Sequence, residues 1–417
     1  MTTRRSLIAQ LPAAAVAGSF ALRARAVFGA DKSVTVGITV PLTGSDTEQA
    51  TLMKEGAMIA ADDANAKGGV AGYKINVIVL DNGTATAGQY DPAQAATNAR
   101  KLVSNPSVVA NVGPQNSGSG KAMTPILSQG NLATITPSST NPDITDPKFA
   151  PQFRPAGKAI YFRTVTTDAY QGPNMANYFA QKLKVKKVFI IDDTGAYGVG
   201  IADAFEAQAR KDGMTVLGHD QVNPLEADYT TILTKIKGID PEALYYGGSS
   251  LAGIKVVKQS YDVLPKIIKG GGDGVYGASL LKGAGYPAVE GWYATIAAPY
   301  LAENADVAPW INRYQEKYGH GPTSYSFTAY DAMLVVLDAI ERVAASGKQV
   351  NRDTVRDAIQ TANLKTLQGV VSFDENGDIK DRTVSVFRYQ YDANTRRTRS
   401  SINTNTSASH RKPRKAW

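Results

Sequence analysis

Hydroxyl-bearing residues stand where two predicted strands of this chain end. The apolar run 108–112 leads through a turn rich in Gly, Asn and Ser to Ser117, and the run 132–135 leads to the Ser-Ser-Thr sequence at 138–140. In an open α/β sheet, ligands bind beyond the carboxyl ends of the strands. A helical pattern also begins near Ser117, and a helix N-terminus offers unpaired N–H donors and a partial positive charge. Either segment alone suits a helix cap or a turn, but the two together predict a binding site.

Further polar side chains at predicted strand ends are Asp168, Tyr197, Ser249 and Asp273. Lone acids beside neutral donors suit a ligand that carries one anionic and one cationic group. We expect the donors at Ser117 and Ser138 to hold a carboxylate. We expect Asp273, assisted by Thr140, to hold an ammonium group. An enclosed zwitterion is tolerated only if both of its charges are met in this way.

Patterns typical of enzymes and metal sites are missing from the sequence. It contains no Cys, and its three His are widely separated, without metal-ligand spacing. There is no nucleophile elbow, Walker loop, dinucleotide-binding glycine pattern or zinc-protease motif. The acidic segment 374–378 lacks EF-hand spacing and predicts a solvated turn. Asp192 and Asp193 could hold a metal, but we favour capping of the segment 195–200. We therefore predict a protein that is not an enzyme and uses no cofactor and no metal.

Strand and helix patterns alternate along the chain in two consecutive series. The first series ends with the run 132–135, and the second extends over 161–269. Such series predict two doubly wound α/β lobes joined by right-handed crossovers. After Trp292 the chain is expected to return to the first lobe. The segments 369–373 and 384–391 flank a turn and predict a hairpin.

The N-terminus has the features of an export signal. Arg4 and Arg5 precede a mildly apolar stretch and small residues suited to cleavage near Ala26 or Ala30. The paired arginines favour the twin-arginine route, with the Sec route left open. No Cys follows the apolar stretch, which argues against a lipoprotein anchor. We predict that residues 1–30 are an export signal and that the mature protein is periplasmic.

The C-terminal segment 394–417 is polar and basic, with seven Lys or Arg and no acidic residue. Low apolar content with like charges predicts a disordered tail. The formal net charge of the chain is +8. The seven positive charges of this tail and the four arginines near the N-terminus together exceed it, so the positive charge derives from the two ends of the chain. The basic composition is therefore no evidence for nucleic acid, and we predict no such partner. A solvated tail is favoured, and contact with anionic lipid or another partner is left open.

Several sequence patches, taken together, carry a resemblance to a known family. The chain resembles the Leu/Ile/Val-binding protein family, the periplasmic substrate-binding components of ABC importers for branched-chain amino acids. The patches are GITVPLTG at 37–44, DDANAKGG at 62–69, VGPQNSGS at 112–119, ITPSSTN at 135–141, FRTVTTDAYQGP at 162–173, DDTGAYG at 192–198, YYGG at 245–248 and FDENGD at 373–378. The resemblance covers roughly residues 34–391.

This resemblance implies a type I periplasmic-binding fold, in which two doubly wound parallel-sheet lobes are joined by a three-crossing hinge. The first lobe would comprise residues 31–165 and 298–385, and the second lobe residues 166–297 and 386–393. A ligand would be clamped in the cleft between the lobes. The resemblance further implies a monomer that delivers its ligand to an ABC permease and ATPase complex in the inner membrane.

The resemblance also assigns roles to residues at matching positions. The candidate ligand-binding residues are Gln49, Ser117, Ser138, Ser139, Thr140, Asp168, Tyr197, Ser249, Asp273, Gly274 and Tyr325. Ser117 and the backbone at Ser138 and Thr140 would bind a carboxylate. Thr140 and Asp273 would bind an α-amino group. The acid at this last position is usually Glu in the closest branched-chain binders, so Asp273 is one methylene shorter.

Other matching positions concern the ligand side chain. Asp168 would lie near the cleft mouth, Tyr197 would fold over the ligand, and Tyr325 would line the side-chain pocket. The aromatic residue expected near Gln49 is missing, and Ser249 stands where a tyrosine is expected. A roomier and more polar pocket follows from both departures. We predict a receptor for a branched-chain or similar aliphatic amino acid; the alternative is a receptor for an aromatic or other small carboxylate or an amide.

Overall fold

The structure is a computed structural model that describes residues 32–392 and 397–407, with side chains for 32–390. The predicted export signal and the end of the tail therefore lie outside the described residues. Within the described part, no helix combines the length and apolar character needed to cross a membrane.

A five-stranded parallel sheet forms the first lobe, with strand order β2-β1-β5-β6-β7. Its strands and helices are β1 (Ser33–Val40), α1 (Thr47–Ala66), β2 (Lys74–Asp81), β3 (Gly83–Thr84), β4 (Gln89–Tyr90), α2 (Pro92–Ser104), β5 (Val108–Val112), α3 (Ser117–Gln129), β6 (Ala133–Thr136), α4 (Ala150–Phe153) and β7 (Tyr161–Arg163). Strands β5 and β6 are buried along their whole length, as expected of central parallel strands covered on both faces, and the short edge strand β7 is buried as well.

The second lobe continues the alternation around a seven-stranded sheet of order β16-β15-β12-β11-β10-β8-β9. Its first elements are α5 (Asp168–Asn177), β8 (Lys187–Asp192), α6 (Ala196–Lys211), β9 (Thr215–Gln221), α7 (Thr230–Ile239), β10 (Ala243–Gly247), α8 (Ser250–Val263), β11 (Ile268–Gly271), α9 (Ala278–Ala284) and β12 (Tyr293–Ile296). Separate apolar cores cover the two faces of this sheet. On one face the rings of Phe205 and Tyr245 stack with their centroids 3.8 Å apart.

The chain then returns to the first lobe before it ends in the second sheet. The remaining elements are α10 (Ala308–Tyr318), α11 (Ser324–Ala345), α12 (Arg352–Gln360), β13 (Asn363–Thr366), β14 (Gly369–Ser372), β15 (Thr383–Asp392) and β16 (Arg397–Ser407). It therefore passes between the lobes three times, after β7, after β12 and before β15. The predicted lobe boundary at 385/386 falls inside β15, which lies in the second sheet throughout.

Helix α11 is held against α1 at a very short distance. A Cβ atom at Gly56 would lie 2.2 Å from the carbonyl oxygen of Ser326, so only glycine fits there. The Ser326 hydroxyl in turn donates to the carbonyl oxygen of Leu52 at 2.9 Å. This contact places Tyr325, at the start of α11, beside the start of α1 and the cleft between the lobes.

Two expectations for the C-terminal part are wrong. Strand β14 pairs with β13, whereas β15 pairs with β12, so the predicted hairpin of 369–373 and 384–391 does not form. The free edge of β12 takes β15 instead, and such long-range pairing is not visible in local sequence. The tail predicted to be disordered from 394 contains β16, which pairs antiparallel with β15 over 397–407. The exposed edge of β15 offers unpaired N–H and C=O groups, and the Thr-rich segment has the β-propensity to use them.

Candidate functional site

A cavity that is partly open to solvent lies between the two lobes. Both lobes contribute to its lining, which comprises Asp46, Gln49, Met53, Gln115, Asn116, Ser117, Ser138, Tyr197, Ser249, Ser250, Asp273, Gly274, Tyr276, Ser279, Leu280 and Tyr325. Eight of the eleven candidate residues from the sequence are among them. The other three, Ser139, Thr140 and Asp168, lie behind this lining.

Ser117 is the first residue of α3 and is buried at the edge of the cavity. Its Oγ accepts from the backbone N–H of Asn141 at 3.2 Å and from Ser139 Oγ at 3.4 Å. These contacts leave the Ser117 O–H to donate to a ligand. The first N–H groups of a helix have no partners within the helix, so this end of α3 suits an anionic group.

The loop after β6 supports Ser117 from behind. The Ser138 hydroxyl lines the cavity but donates to the carbonyl oxygen of Gln115 at 2.8 Å. The backbone N–H groups of Ser138 and Ser139 both point to Thr136 Oγ1, at 3.3 and 2.9 Å. The Thr140 hydroxyl is buried without a partner among the described residues. The loop therefore orients Ser117, and its own N–H groups at 138 and 139 are already engaged.

A buried arginine that sequence reasoning missed holds this loop in place. The Arg163 guanidinium is fully buried and donates to the carbonyl oxygens of Ser139 at 2.6 Å and Asn141 at 2.8 Å. Its Nε donates to Asp378 Oδ1 at 2.7 Å, which forms an ion pair. Asp378 belongs to the segment 374–378, so the prediction of a merely solvated turn is wrong. The signal was an arginine inside an otherwise apolar strand, which must find a counter-charge when buried.

On the opposite side of the cavity, Asp273 receives donors from both lobes. Its Oδ1 accepts from Tyr197 OH at 2.6 Å and from Gln171 Nε2 at 2.8 Å. Its Oδ2 accepts from the hydroxyl of Tyr325, which belongs to the first lobe. Burial raises the pKa of Asp273, and donation by these three groups opposes that rise. The carboxylate is thus held in place at the cleft without any cationic partner among the described residues.

Asp168 does not lie at the cleft mouth, as the resemblance implied, but is completely buried. It starts α5, where the chain crosses between the lobes, and its backbone N–H donates to the carbonyl oxygen of Thr140 at 2.9 Å. Gln171 donates to both Asp168 Oδ1, at 3.1 Å, and Asp273 Oδ1. Burial and then the nearby Asp273 carboxyl raise the pKa of Asp168 to about 8. Asp168 therefore supports Gln171 and through it Asp273, and it makes no contact with the cavity.

A second acid, which sequence reasoning missed, lines the cavity; its only local signal is a short Gly-Ser-Asp turn. Asp46 immediately precedes α1 and is 4% exposed. Its Oδ2 accepts from Asn116 Nδ2, and its Oδ1 accepts from Ser250 Oγ, both at 3.2 Å. Burial raises the pKa of Asp46, and these donors oppose that rise together with the backbone N–H of Tyr90. The cavity is thus lined by two acids and by no Lys, Arg or His.

The lobes touch each other around this cavity. Besides the contacts of Asp273 with Tyr325 and of Asp46 with Ser250, Asn141 Nδ2 donates to the carbonyl oxygen of Ala196 at 2.7 Å. Within the second lobe, Asp193 accepts from the N–H groups of Gly195 at 3.0 Å and Ser249 at 2.7 Å, and so orders two loops at the cleft. The lobes are thus in contact with each other around the cavity, which is surrounded by hydroxyls, amides and carboxylates.

Comparisons with known proteins agree with this architecture. A family model described as "Periplasmic binding protein" matches residues 33–395. The Leu/Ile/Val-binding protein BraC3 of Rhizobium johnstonii is 28% identical over 367 residues, which cover 87% of this chain and 93% of that protein. The leucine-, isoleucine-, valine-, threonine- and alanine-binding protein of Pseudomonas aeruginosa is 26% identical over 361 residues, covering 87% and 91%. The family resemblance drawn from the sequence patches is confirmed.

Solved structures show the same fold. The leucine-binding protein of Thermotoga maritima superposes with a TM-score of 0.76 at 25% identity, covering 89% of this chain and 98% of that one. A solute-binding protein of an ABC transporter from Rhodopseudomonas palustris, in complex with p-hydroxybenzoic acid, superposes with a TM-score of 0.76 at 18% identity, covering 90% and 98%. The second likeness concerns the fold alone. Together they confirm the predicted type I periplasmic-binding fold.

Proposed function

The chain belongs to the periplasmic binding protein family, and we propose that it is the extracytoplasmic receptor of an ABC importer for an amino acid. The observation that carries this proposal is the pairing of Ser117, at the N-terminus of α3, with the half-buried carboxyl of Asp273 across one cavity. One end offers donors to an anion, and the other offers a carboxylate to a cation. An α-amino acid presents these two groups on a single carbon.

The first lobe provides the binding site for the ligand's carboxylate. In the proposed complex the ligand carboxylate accepts from the Ser117 hydroxyl and from the N–H groups in the first turn of α3. The loop after β6 keeps Ser117 in position, because Asn141 N–H and Ser139 Oγ both donate to it. The N–H groups of Ser138 and Ser139 donate to Thr136 Oγ1, so we assign them a supporting role.

The second lobe provides the binding site for the ligand's ammonium group. Asp273 is half-buried, and the side chains that donate to it are two hydroxyls and one amide, all of them neutral. Partial removal from water disfavours an unpaired carboxylate, and the ammonium group of a ligand would supply the opposite charge. Because Tyr325 reaches Asp273 from the first lobe, binding there would also hold the lobes closed. Ligand binding would therefore favour the closed arrangement of the lobes over the open one.

The named relatives support both the ligand class and the partners. The Rhizobium protein is named for leucine, isoleucine and valine, and the Pseudomonas protein also for threonine and alanine. We propose that this chain binds an amino acid of similar size and, in its closed form, docks as a monomer on a permease and ATPase complex of the inner membrane. The predicted signal at 1–30 would place it in the periplasm. We propose no catalytic role.

A thermal-shift screen of the purified protein against amino acids, amides and aromatic acids tests the proposal. A ligand that binds only the folded state stabilises it by roughly 2.7 kcal/mol at 100 times its dissociation constant. We expect aliphatic L-amino acids to raise the melting temperature of the wild type and Asp273→Asn to abolish the rise. The matched control is Asp262→Asn, which changes an exposed acid at the end of α8 and should leave the rise intact. Stabilisation by aromatic acids alone would favour the alternative ligand class.

A further inference from the structure

Asp46 occupies the N-cap position of α1, but its side chain does not cap that helix. Its side chain accepts no hydrogen bond from the helix N–H groups, although it occupies the N-cap position. Instead the carboxyl is turned toward Asn116 and Ser250 and lines the cavity. Aspartate at an N-cap normally accepts from the N–H groups of the first turn. The carboxyl at this position is therefore free for another purpose.

The wall of the cavity around Asp46 has more hydrogen-bond acceptors than donors. Asn116 Nδ2 donates to Asp46, which leaves Asn116 Oδ1 buried with no donor among the described residues. Gln115 Oε1, on the preceding residue, is also buried without one. The side-chain donors to Asp46 lie at a long distance, 3.2 Å, and all of its donors, including the backbone N–H of Tyr90, are neutral. Buried polar atoms without partners are unfavourable, and a ligand that brings donors would satisfy them.

The Asp273 end of the same cavity is different. Its carboxyl already accepts three hydrogen bonds from Tyr197, Gln171 and Tyr325. Among the described residues no Lys, Arg or His forms an ion pair with Asp46 or lines the cavity. An amino acid with an apolar side chain supplies a single cation, which Asp273 takes. The second buried acid would then face an apolar group.

We propose that Asp46, Asn116 and Gln115 form a subsite for the ligand's side chain, and that this side chain ends in a nitrogen donor: an ammonium, guanidinium or carboxamide group. The inference rests on the proposed amino-acid-binding function and names the class of side chain. The nitrogen donor bonds the Asp46 carboxyl, and a further N–H reaches the Asn116 oxygen. Cationic side chains gain most, because they also meet the charge of Asp46.

A competing role for Asp46 is that of a closing contact between the lobes, through its bond with Ser250 in the second lobe. A closing contact affects every ligand equally, since each one binds to the same closed form. A side-chain subsite affects only ligands whose side chain carries a donor. The two roles are therefore distinguished by how a change at Asp46 alters the ratio of the affinities for two ligands, one with and one without a side-chain donor. The affinity for a single ligand does not distinguish them.

Calorimetric titration with L-leucine, L-asparagine and L-ornithine separates these roles, because leucine and asparagine have nearly the same shape. In the wild type we expect asparagine or ornithine to bind roughly 10-fold to 100-fold more tightly than leucine, the range for hydrogen bonds to a charged group. Asp46→Ala should remove most of that preference and change leucine binding by less than about 3-fold. Asp46→Asn, which keeps the shape of the side chain, should remove the preference for ornithine. Asp262→Asn is the matched control on an exposed acid.

Three results would overturn the inference, and they differ in what else they affect. If leucine binds at least as tightly as both nitrogen-bearing ligands, the subsite does not exist, but the proposed amino-acid receptor stands. If Asp46→Ala weakens all three ligands by the same factor, Asp46 is a closing contact only. If no amino acid binds the wild type, the proposed function fails and the subsite fails with it.

Discussion

Replacing Asp378 by Asn removes the counter-charge of a completely buried guanidinium. Arg163 donates to Asp378 Oδ1 at 2.7 Å, to the carbonyl oxygens of Ser139 and Asn141 at 2.6 and 2.8 Å, and to Thr145 Oγ1 at 2.9 Å. The Arg163 side chain is 0% exposed and that of Asp378 is 17% exposed. The substitution leaves the positive charge enclosed among neutral acceptors alone.

The magnitude follows from this geometry. Breaking one partner of a buried ion pair lowers the free energy of unfolding by about 3–5 kcal/mol, because the other charge stays buried and unpaired. Since Asp378 is partly exposed, water can replace some of the lost interaction, and we expect about 3 kcal/mol for Asp378→Asn. Ligand affinity should fall as well, because Arg163 holds the loop whose Asn141 N–H positions Ser117.

Urea denaturation, followed by tryptophan fluorescence and by far-UV circular dichroism, measures the loss. The matched control is Asp63→Asn, which breaks the half-exposed pair of Asp63 with Arg313 in the same lobe, at 2.8 Å. Exposed pairs contribute less than about 1 kcal/mol, so the control should stay close to the wild type. A loss for Asp378→Asn no larger than that of the control would refute the reasoning that this pair holds the loop.

Two further substitutions test the contribution of His219 to stability and the close packing at Gly274. When protonated, His219 donates to both Asp192 and Glu206, and the hydrogen bond with Asp192 is the main cause that raises the pKa of His219 above 6.5. The protonated ring therefore stabilises the fold fully below pH 6.5, and this contribution is lost as the pH rises through the raised pKa. The difference in unfolding free energy between wild type and His219→Gln should accordingly be larger at about pH 5.5 than at about pH 9, and a difference that grows with pH would contradict this. For Gly274→Ala, the added Cβ would lie 1.9 Å from the carbonyl oxygen of Gly248, so ligand binding measured by titration should be lost, whereas Gly238→Ala, in open space on α7, should bind normally.

Much of the fold and part of the site could be predicted because local patterns determine them. The position of Ser117 at the start of α3 followed from an apolar run, a turn and a helical pattern in sequence order. That Ser117 and Asp273 meet in one cavity followed from the rule that ligands bind at the carboxyl ends of parallel strands. These inferences need only short-range sequence information and a general property of α/β sheets.

The missed features depend on contacts between distant segments. Arg163 and Asp378 are separated by 215 positions, so nothing near either residue indicates that they pair. Asp46 reads as a turn residue before a helix, and only the approach of Ser250 from the other lobe shows that it lines the cavity. The pairing of β15 with β12 likewise depends on which sheet edge is free, which local alternation of side chains does not reveal.

The role of Asp273 in binding an ammonium group is tested most directly by calorimetric titration with L-leucine and with 4-methylpentanoate, which is leucine without its amino group. We predict that the wild type binds leucine roughly 10-fold to 100-fold more tightly, the range for a hydrogen-bonded charge pair. The isosteric Asp273→Asn variant should bind the two compounds with similar affinity, because the carboxylate that recognises the ammonium group is gone. Equal affinity of the wild type for both compounds, or an undiminished preference for leucine in Asp273→Asn, would contradict the assignment of Asp273 as the ammonium-binding residue.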